Sequence, residues 1–215
     1  MPLLQKISNK FAEKVSTELK YDNDKQEVIA YGTFALLQMI LSIALVVVFG
    51  LVFKVLVEAL IVSFAGSILR KYSGGVHSSS PMICVVVGTV VCVAFGVLTK
   101  IEFLTQFYVV LGLTVAVFIL AYVIIYKLAP IASKSKPISD KKKVRMKRGS
   151  IVVLSVYLLT GGGLFTLYLL TKNENFLNYV FCLSLGTLWQ VFTLTKFGEV
   201  VLGGLDKFLS RFIKA

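Results

Sequence analysis

One histidine, one tryptophan and three cysteines are all that 215 residues supply of these types. A single imidazole, His77, with thiols scattered at Cys84, Cys92 and Cys182 makes no zinc pattern, so no metal site is expected. The odd cysteine count, with each thiol in or beside an apolar run, argues against a disulfide framework. No cofactor is expected either. Acids are scarce, 11 against 23 Lys and Arg, for a formal net charge of +12. The basic excess clusters beside apolar runs, which suits membrane topology and argues against a nucleic-acid partner. No Ala-x-Ala cleavage pattern follows a short apolar core, so the whole chain is expected to be the mature form. No internal repeat is present, and the one low-complexity tract is the basic run KKKVRMKR at 141–148.

What the chain has in abundance is apolar surface. It is 57% hydrophobic, with a mean hydropathy of +0.84. A soluble domain of this length does not look like that; the composition predicts an all-α, polytopic membrane protein forming a single domain over residues 1–215. Six apolar runs stand out, at roughly 28–50, 51–69, 81–99, 103–126, 150–171 and 176–195. Each approaches the ~20 residues a span requires, and a re-entrant segment would pass the same test. Residues 1–27 open with Leu4, Ile7, Phe11, Val15 and Leu19 on one helical face, and Asp24 with Glu27 reads as a capping box for the next helix. The tail, 196–215, places Leu205, Phe208, Leu209 and Phe212 on one face. Both ends are therefore read as interfacial amphipathic helices. Residues 127–149 read as a basic loop.

With alternating spans, every Lys and Arg except Lys54, Lys100 and Lys172 falls on one side. That asymmetry predicts cytoplasmic termini and a cytoplasmic 70–80 loop in the cell membrane.

The stretch RKYSGGVHSSSPMIC, 70–84, carries the chemistry. Ser80-Pro81 reads as an N-cap followed by proline at the first helical position. Cys84 then ends the first turn, where a helix N-terminus and the charges of Arg70 and Lys71 favour a thiolate. Within one continuous helix, seven residues would part Cys84 from His77 by ~10 Å along the axis. Gly74, Gly75 and the serines break that continuity and let the imidazole fold back. A cysteine with a histidine in reach is a nucleophile with its base. A backbone carbonyl or Ser73 would orient the imidazole; the sequence does not choose between them. Cys92 and Cys182 read as packing residues.

The string Leu69-Arg70-Lys71-Tyr72-Ser73-Gly74-Gly75-Val76-His77, with Cys84 following, resembles the signature of the accessory gene regulator B (AgrB) family. Tyr31-Gly32, Glu58 and the lysine-rich stretch after Pro130 extend the likeness over most of the chain, while Ser78 stands where alanine is expected. The resemblance implies a homodimeric membrane cysteine endopeptidase of Gram-positive bacteria, acting in quorum sensing. Its partner would be an autoinducing-peptide precursor with an acidic C-terminal tail. The enzyme would remove that tail and hold the peptide as an acyl-thioester that closes to a thiolactone or lactone. Position by position, Cys84 would be the nucleophile, His77 the catalytic histidine, and Arg70 and Gly75 recurrent motif positions. Lys141, Lys142, Lys143, Arg145, Lys147 and Arg148 would dock the acidic tail, and the same charges would also attract anionic lipid. Two rival functions are a small peptide transporter and a non-enzymatic membrane scaffold. Neither needs the thiol of Cys84.

Three further expectations concern packing. Lys54 and Glu58 read as an ion pair one helical turn apart. Ser63 and Ser67 read as a close helix contact. Gly161-Gly162-Gly163 reads as a break in the fifth run.

Overall fold

The computed structural model describes residues 2–76, 80–131 and 139–213. Those residues form eight α-helices and no named strand: α1 (Pro2–Leu19), α2 (Asn23–Val52), α3 (Leu56–Ser73), α4 (Pro81–Leu98), α5 (Phe107–Leu128), α6 (Asp140–Thr171), α7 (Asn175–Phe192) and α8 (Lys196–Ile213). A 3₁₀ turn, Glu102–Thr105, precedes α5.

The six apolar runs become α2 to α7, a polytopic helical bundle. Four of these helices, α2, α4, α5 and α6, are long and apolar enough to cross a membrane; α7 with α8, bent by 86°, would make a fifth. The other two runs differ, one in charge and one in burial. Helix α3 carries Glu58, Arg70 and Lys71 in 18 residues. Helix α7 is the hub, with buried residues on every side, from Leu177 to Val191. Its polar side chains find partners inside. Ser184 Oγ pairs with Thr114 Oγ1 at 2.9 Å, and Thr187 Oγ1 donates to Leu183 O at 2.8 Å. Without water to satisfy them, such groups belong against neighbouring helices.

Helices α3 and α7 approach closely through small residues. A Cβ on Gly186 would sit 2.8 Å from Val62 O and 2.9 Å from the Ala65 methyl. Glycine there lets the two backbones meet. The contact is therefore made by Val62, Ala65 and Gly186; Ser63 and Ser67 instead line a cavity described below. Gly186→Val is expected to destabilise the bundle by about 1–3 kcal/mol through overpacking. Gly162→Ala, whose Cβ would meet nothing within 4 Å, is expected to be neutral or slightly stabilising. Thermal unfolding in detergent compares the two.

Other local readings shift. The cap of α2 is Asp22, whose carboxylate accepts from Lys25 N at 2.9 Å, so the Asp24–Glu27 capping box is displaced by two residues. Lys54 stands in the left-handed turn between α2 and α3 (φ 56°), and no ion pair joins it to Glu58. A left-handed residue leaves the helical register that an i,i+4 pair needs. Helix α6 runs unbroken through Gly161-Gly162-Gly163. Residues 140–149 also belong to α6, so much of the predicted basic loop is helix, while 132–138 lie outside the described residues. Lysine and arginine are good helix formers, which hydropathy does not register.

In α1, Ser8, Ala12 and Ser16 are buried, while Ile7, Phe11 and Leu19 remain exposed. The small-residue face packs inward and the greasy face is left for lipid, as an interfacial helix requires. Helix α8 likewise exposes Phe197, Val200 and Phe208.

The six helices alternate, so one end of the bundle gathers the end of α3, the start of α4, the end of α5 and the end of α7. Lys54, Lys100 and Lys172 occupy the turns at the opposite end, where Lys100 Nζ donates to Phe53 O at 2.7 Å. The charge asymmetry of the sequence is thus an asymmetry of the fold.

Candidate active site

The site is built at the end where α3 stops. Gly74 caps α3 with φ 71°, and Gly75 follows with φ 141°. Both values lie where side chains are strained, and glycine takes them freely. Space demands glycine as well. A Cβ on Gly75 would lie 2.7 Å from Thr193 Oγ1, and one on Gly74 would collide with Ile131 O.

The loop so formed is held from three directions. From α7, Gln190 is 1% exposed, and its Nε2 donates to Ser73 Oγ at 2.9 Å and to Gly74 O at 2.7 Å. Also from the end of α7, Thr193 O accepts from Val76 N at 3.3 Å. From the end of α5, Ile131 N donates to Ser73 O at 3.1 Å, forming a parallel bridge with Gly74. From within α3, the Arg70 guanidinium donates to Val76 O. Buried amides and carbonyls are costly when unpaired, so this set of bonds fixes the backbone up to Val76.

His77, Ser78 and Ser79 lie outside the described residues. Arg70 and Gly75 hold the backbone that leads directly into His77. Ser73 is fully buried; its hydroxyl donates to Leu69 O at 2.9 Å and accepts from Gln190. That engages it in the α3–α7 contact.

Helix α4 begins as the sequence indicates, with Pro81 at its first turn and Ser80 extended at the cap position. Ser80 makes no side-chain cap bond; its carbonyl accepts from Cys84 N at 3.3 Å. Gln38 from α2 donates to Pro81 O at 3.3 Å. Cys84 is exposed, whereas Cys92 and Cys182 are buried. Of the three thiols, one is open to the surroundings.

Cys84 opens on a cavity of about 220 Å³ between α2, α3, α4, α7 and α8. Arg70, Val76, Gln190 and Asp206 share its lining with Cys84. Gln190, Thr193, Gln38 and Asp206 were missed from sequence. The visible signals were a glutamine inside an apolar run and an acid in a basic tail.

The basic residues Lys141, Lys142, Lys143, Arg145 and Arg148 are exposed on the first turns of α6, and Lys147 is half-buried with its Nζ 4.4 Å from the centre of the Tyr126 ring. Lys143 pairs with Asp140 at 3.3 Å, the single salt bridge among the described residues. Immediately after them Gly149 packs under the Tyr72 ring, which ties this cationic segment to the site end. A helix N-terminus disfavours positive charge. The placement therefore works against the helix dipole.

An exposed cysteine at the start of one membrane helix, facing a glycine loop pinned by two others, defines a polytopic membrane protein with a thiol site at one end of the bundle. The model of the family described as Accessory gene regulator B matches residues 8–194. The chain belongs to that family. It is 39% identical over 214 residues to a "Putative AgrB-like protein" of Clostridium perfringens (strain SM101 / Type A), covering 98% of this chain and 100% of that one. "Putative AgrB-like protein 2" of Clostridium perfringens (strain 13 / Type A) is 40% identical over the same shares. "Accessory gene regulator protein B" of Staphylococcus intermedius is 33% identical over 112 residues, 52% of this chain and 56% of that one. No solved structure matches. Membership supports an accessory gene regulator role in quorum sensing.

Proposed function

We propose that the protein is a membrane cysteine endopeptidase that processes the precursor of an autoinducing peptide. The observation that carries this reading is the placement of Cys84: exposed, in the first turn of α4, on a cavity shared with Val76, whose next neighbour is His77. The Cys84 thiolate attacks the carbonyl carbon of the scissile bond. The C–N bond breaks, and the proton taken up by His77 passes to the leaving amine of the tail. The peptide remains on Sγ as an acyl-thioester. A thiol or hydroxyl within the peptide then attacks that carbonyl, closing the ring and returning the Cys84 thiolate. Thioester exchange is nearly isoenergetic, so cyclisation competes with hydrolysis only where water is scarce, as in a cavity at the membrane boundary. The protein reconstituted in vesicles with a candidate precursor is expected to release the tail and to carry a hydroxylamine-labile peptide adduct on Cys84. Tail release without that adduct would falsify the covalent route.

The site end, both termini and the start of α6 face the cytoplasm of the cell membrane in this reading, and the working unit is a homodimer. A cysteine introduced at Lys142 should resist an impermeant maleimide in intact cells and react after lysis. Labelling from outside reverses the orientation.

The cations of α6 receive the acidic tail of the precursor. Each exposed charge contributes no more than ~1 kcal/mol, so the effect is cumulative. Replacing Lys141, Lys142, Lys143 and Arg145 by Gln should raise KM several-fold with kcat nearly unchanged, and added salt should do the same to the wild type. Orientation is checked in the same variant, because these charges also direct insertion. A correctly oriented variant with unaltered KM and no salt dependence reserves the charges for lipid.

A further inference from the structure

The cavity beside Cys84 extends into the bundle well beyond the thiol. Along α4 its lining includes Cys84, Gly88 and Cys92, one turn apart, with Thr89 on the more buried side of the same helix. Along α3 it includes Arg70, Gly66 and Ser63. The helices run in opposite directions, so Arg70 lies level with Cys84, and Ser63 level with Cys92. Eight residues of α4 make the cavity ~12 Å deep. Its charged groups, Arg70 and Asp206, are at the mouth; below them the walls are uncharged, mixing Gly66, Gly88, Ser63 and Thr89 with Val46, Val62 and Trp189.

Two observations point to a ligand. Thr89 is 6% exposed, lines the cavity and has no hydrogen-bond partner for its Oγ1. A buried hydroxyl left unpaired costs free energy, and helical threonines have an easy remedy in the carbonyl one turn back. Thr89 does not take it. Gly88 is the second observation: a Cβ there would meet nothing within 4 Å. It lies one turn, ~6 Å, inward from Cys84 on the same face. Gly88 itself lines the cavity, so a side chain at this position would take up its space.

Building on the endopeptidase reading, we infer that this cavity is the subsite for the residue acylated onto Cys84, taking a large uncharged side chain over Gly88 with Thr89 as its polar anchor. The acylated residue's Cα is one bond from the carbonyl carbon held by Sγ, so its side chain either enters this cavity or turns out to the surface. The volume, about 220 Å³, falls below the ~300–1,000 Å³ of drug-sized pockets, which suits one side chain and not a whole ring. Neutral walls exclude an acid or a base, because a charge there would lose its hydration without a partner.

The test uses the full chain in lipid nanodiscs and acetyl-Xaa thiophenyl esters, with Xaa as Ala, Leu, Phe, Tyr or Asp. The Cys84 thiolate attacks the ester carbonyl and thiophenolate leaves, so the acyl group appears as a mass increment on the protein that is absent in Cys84→Ser. Leu, Phe and Tyr are expected to transfer at least tenfold faster than Asp and several-fold faster than Ala. Gly88→Leu should lower the Leu:Ala and Phe:Ala ratios at least tenfold, and Thr89→Val should lower the Tyr:Phe ratio at least threefold. Ratios read selectivity independently of how much protein folds. Asp transferring as fast as Leu, or a Leu:Ala ratio unmoved by Gly88→Leu, overturns the subsite and leaves the cavity to lipid or water. An unmoved Tyr:Phe ratio in Thr89→Val removes the anchor. Because acyl transfer from a thioester needs no peptide-bond cleavage, failure here is distinguishable from failure of the endopeptidase reading, which shows as an uncut precursor.

Discussion

Cys84→Ser is expected to lower precursor cleavage by about 10⁴-fold or more while the protein stays folded in the membrane. The size of the effect follows from chemistry. A serine hydroxyl at that position is a far weaker nucleophile than a thiolate. The structure supplies the control. Cys92 and Cys182 are buried in the packing of α4 and α7, so Cys92→Ala and Cys182→Ala should retain activity and lose at most some stability. Alkylation with iodoacetamide should follow the same division, modifying Cys84 in the folded protein well before the other two. Cleavage that survives Cys84→Ser at the wild-type rate ends the protease reading and returns the protein to the transporter or scaffold class.

The second large effect belongs to Gly75. Gly75→Ala places a methyl 2.7 Å from Thr193 Oγ1 and holds an L-residue at φ 141°. The local cost is about 1–3 kcal/mol, which a bundle of this size survives. The displacement, however, falls two residues before His77. A shift of about 1 Å at a reacting group costs on the order of 10²-fold, so kcat should fall by about 10²–10³-fold with KM little changed. Gln190→Leu acts on the same loop from the other side, by removing the amide that donates to Ser73 Oγ and Gly74 O. It should lower kcat in the same direction, while alkylation of Cys84 by iodoacetamide proceeds as in the wild type. A Gly75→Ala protein with a normal kcat would show that the loop does not position the histidine.

The candidate site was legible in the sequence because it is local: glycines, proline and cysteine fall within 15 residues and each has a place in the structure, while His77 lies outside the described residues. The helices were legible because apolar runs have the length of a span. Four things were not. Gln190 meets Gly74 across 116 residues, and no periodicity encodes that contact. Hydropathy cannot tell a helix wrapped in lipid from one wrapped in protein, so α7 read like α4 and α5. The basic start of α6 read as a loop because hydropathy registers the charge of Lys and Arg and not their helix propensity. The cap of α2 slipped from Asp24 to Asp22 because two acids stand within one turn of each other.

The clamp on the glycine loop also sets an order in time. The ribosome makes Gly74, Gly75 and Cys84 early, but Ile131, Gln190 and Thr193 arrive later, and α8, which brings Asp206 to the cavity, last of all. A nascent chain that has inserted only α2 to α4 already carries the thiol but not the bonds that hold the loop beside it. The site is thus completed only when the bundle is, and a truncated chain ending before α7 is a membrane protein with an unguided cysteine.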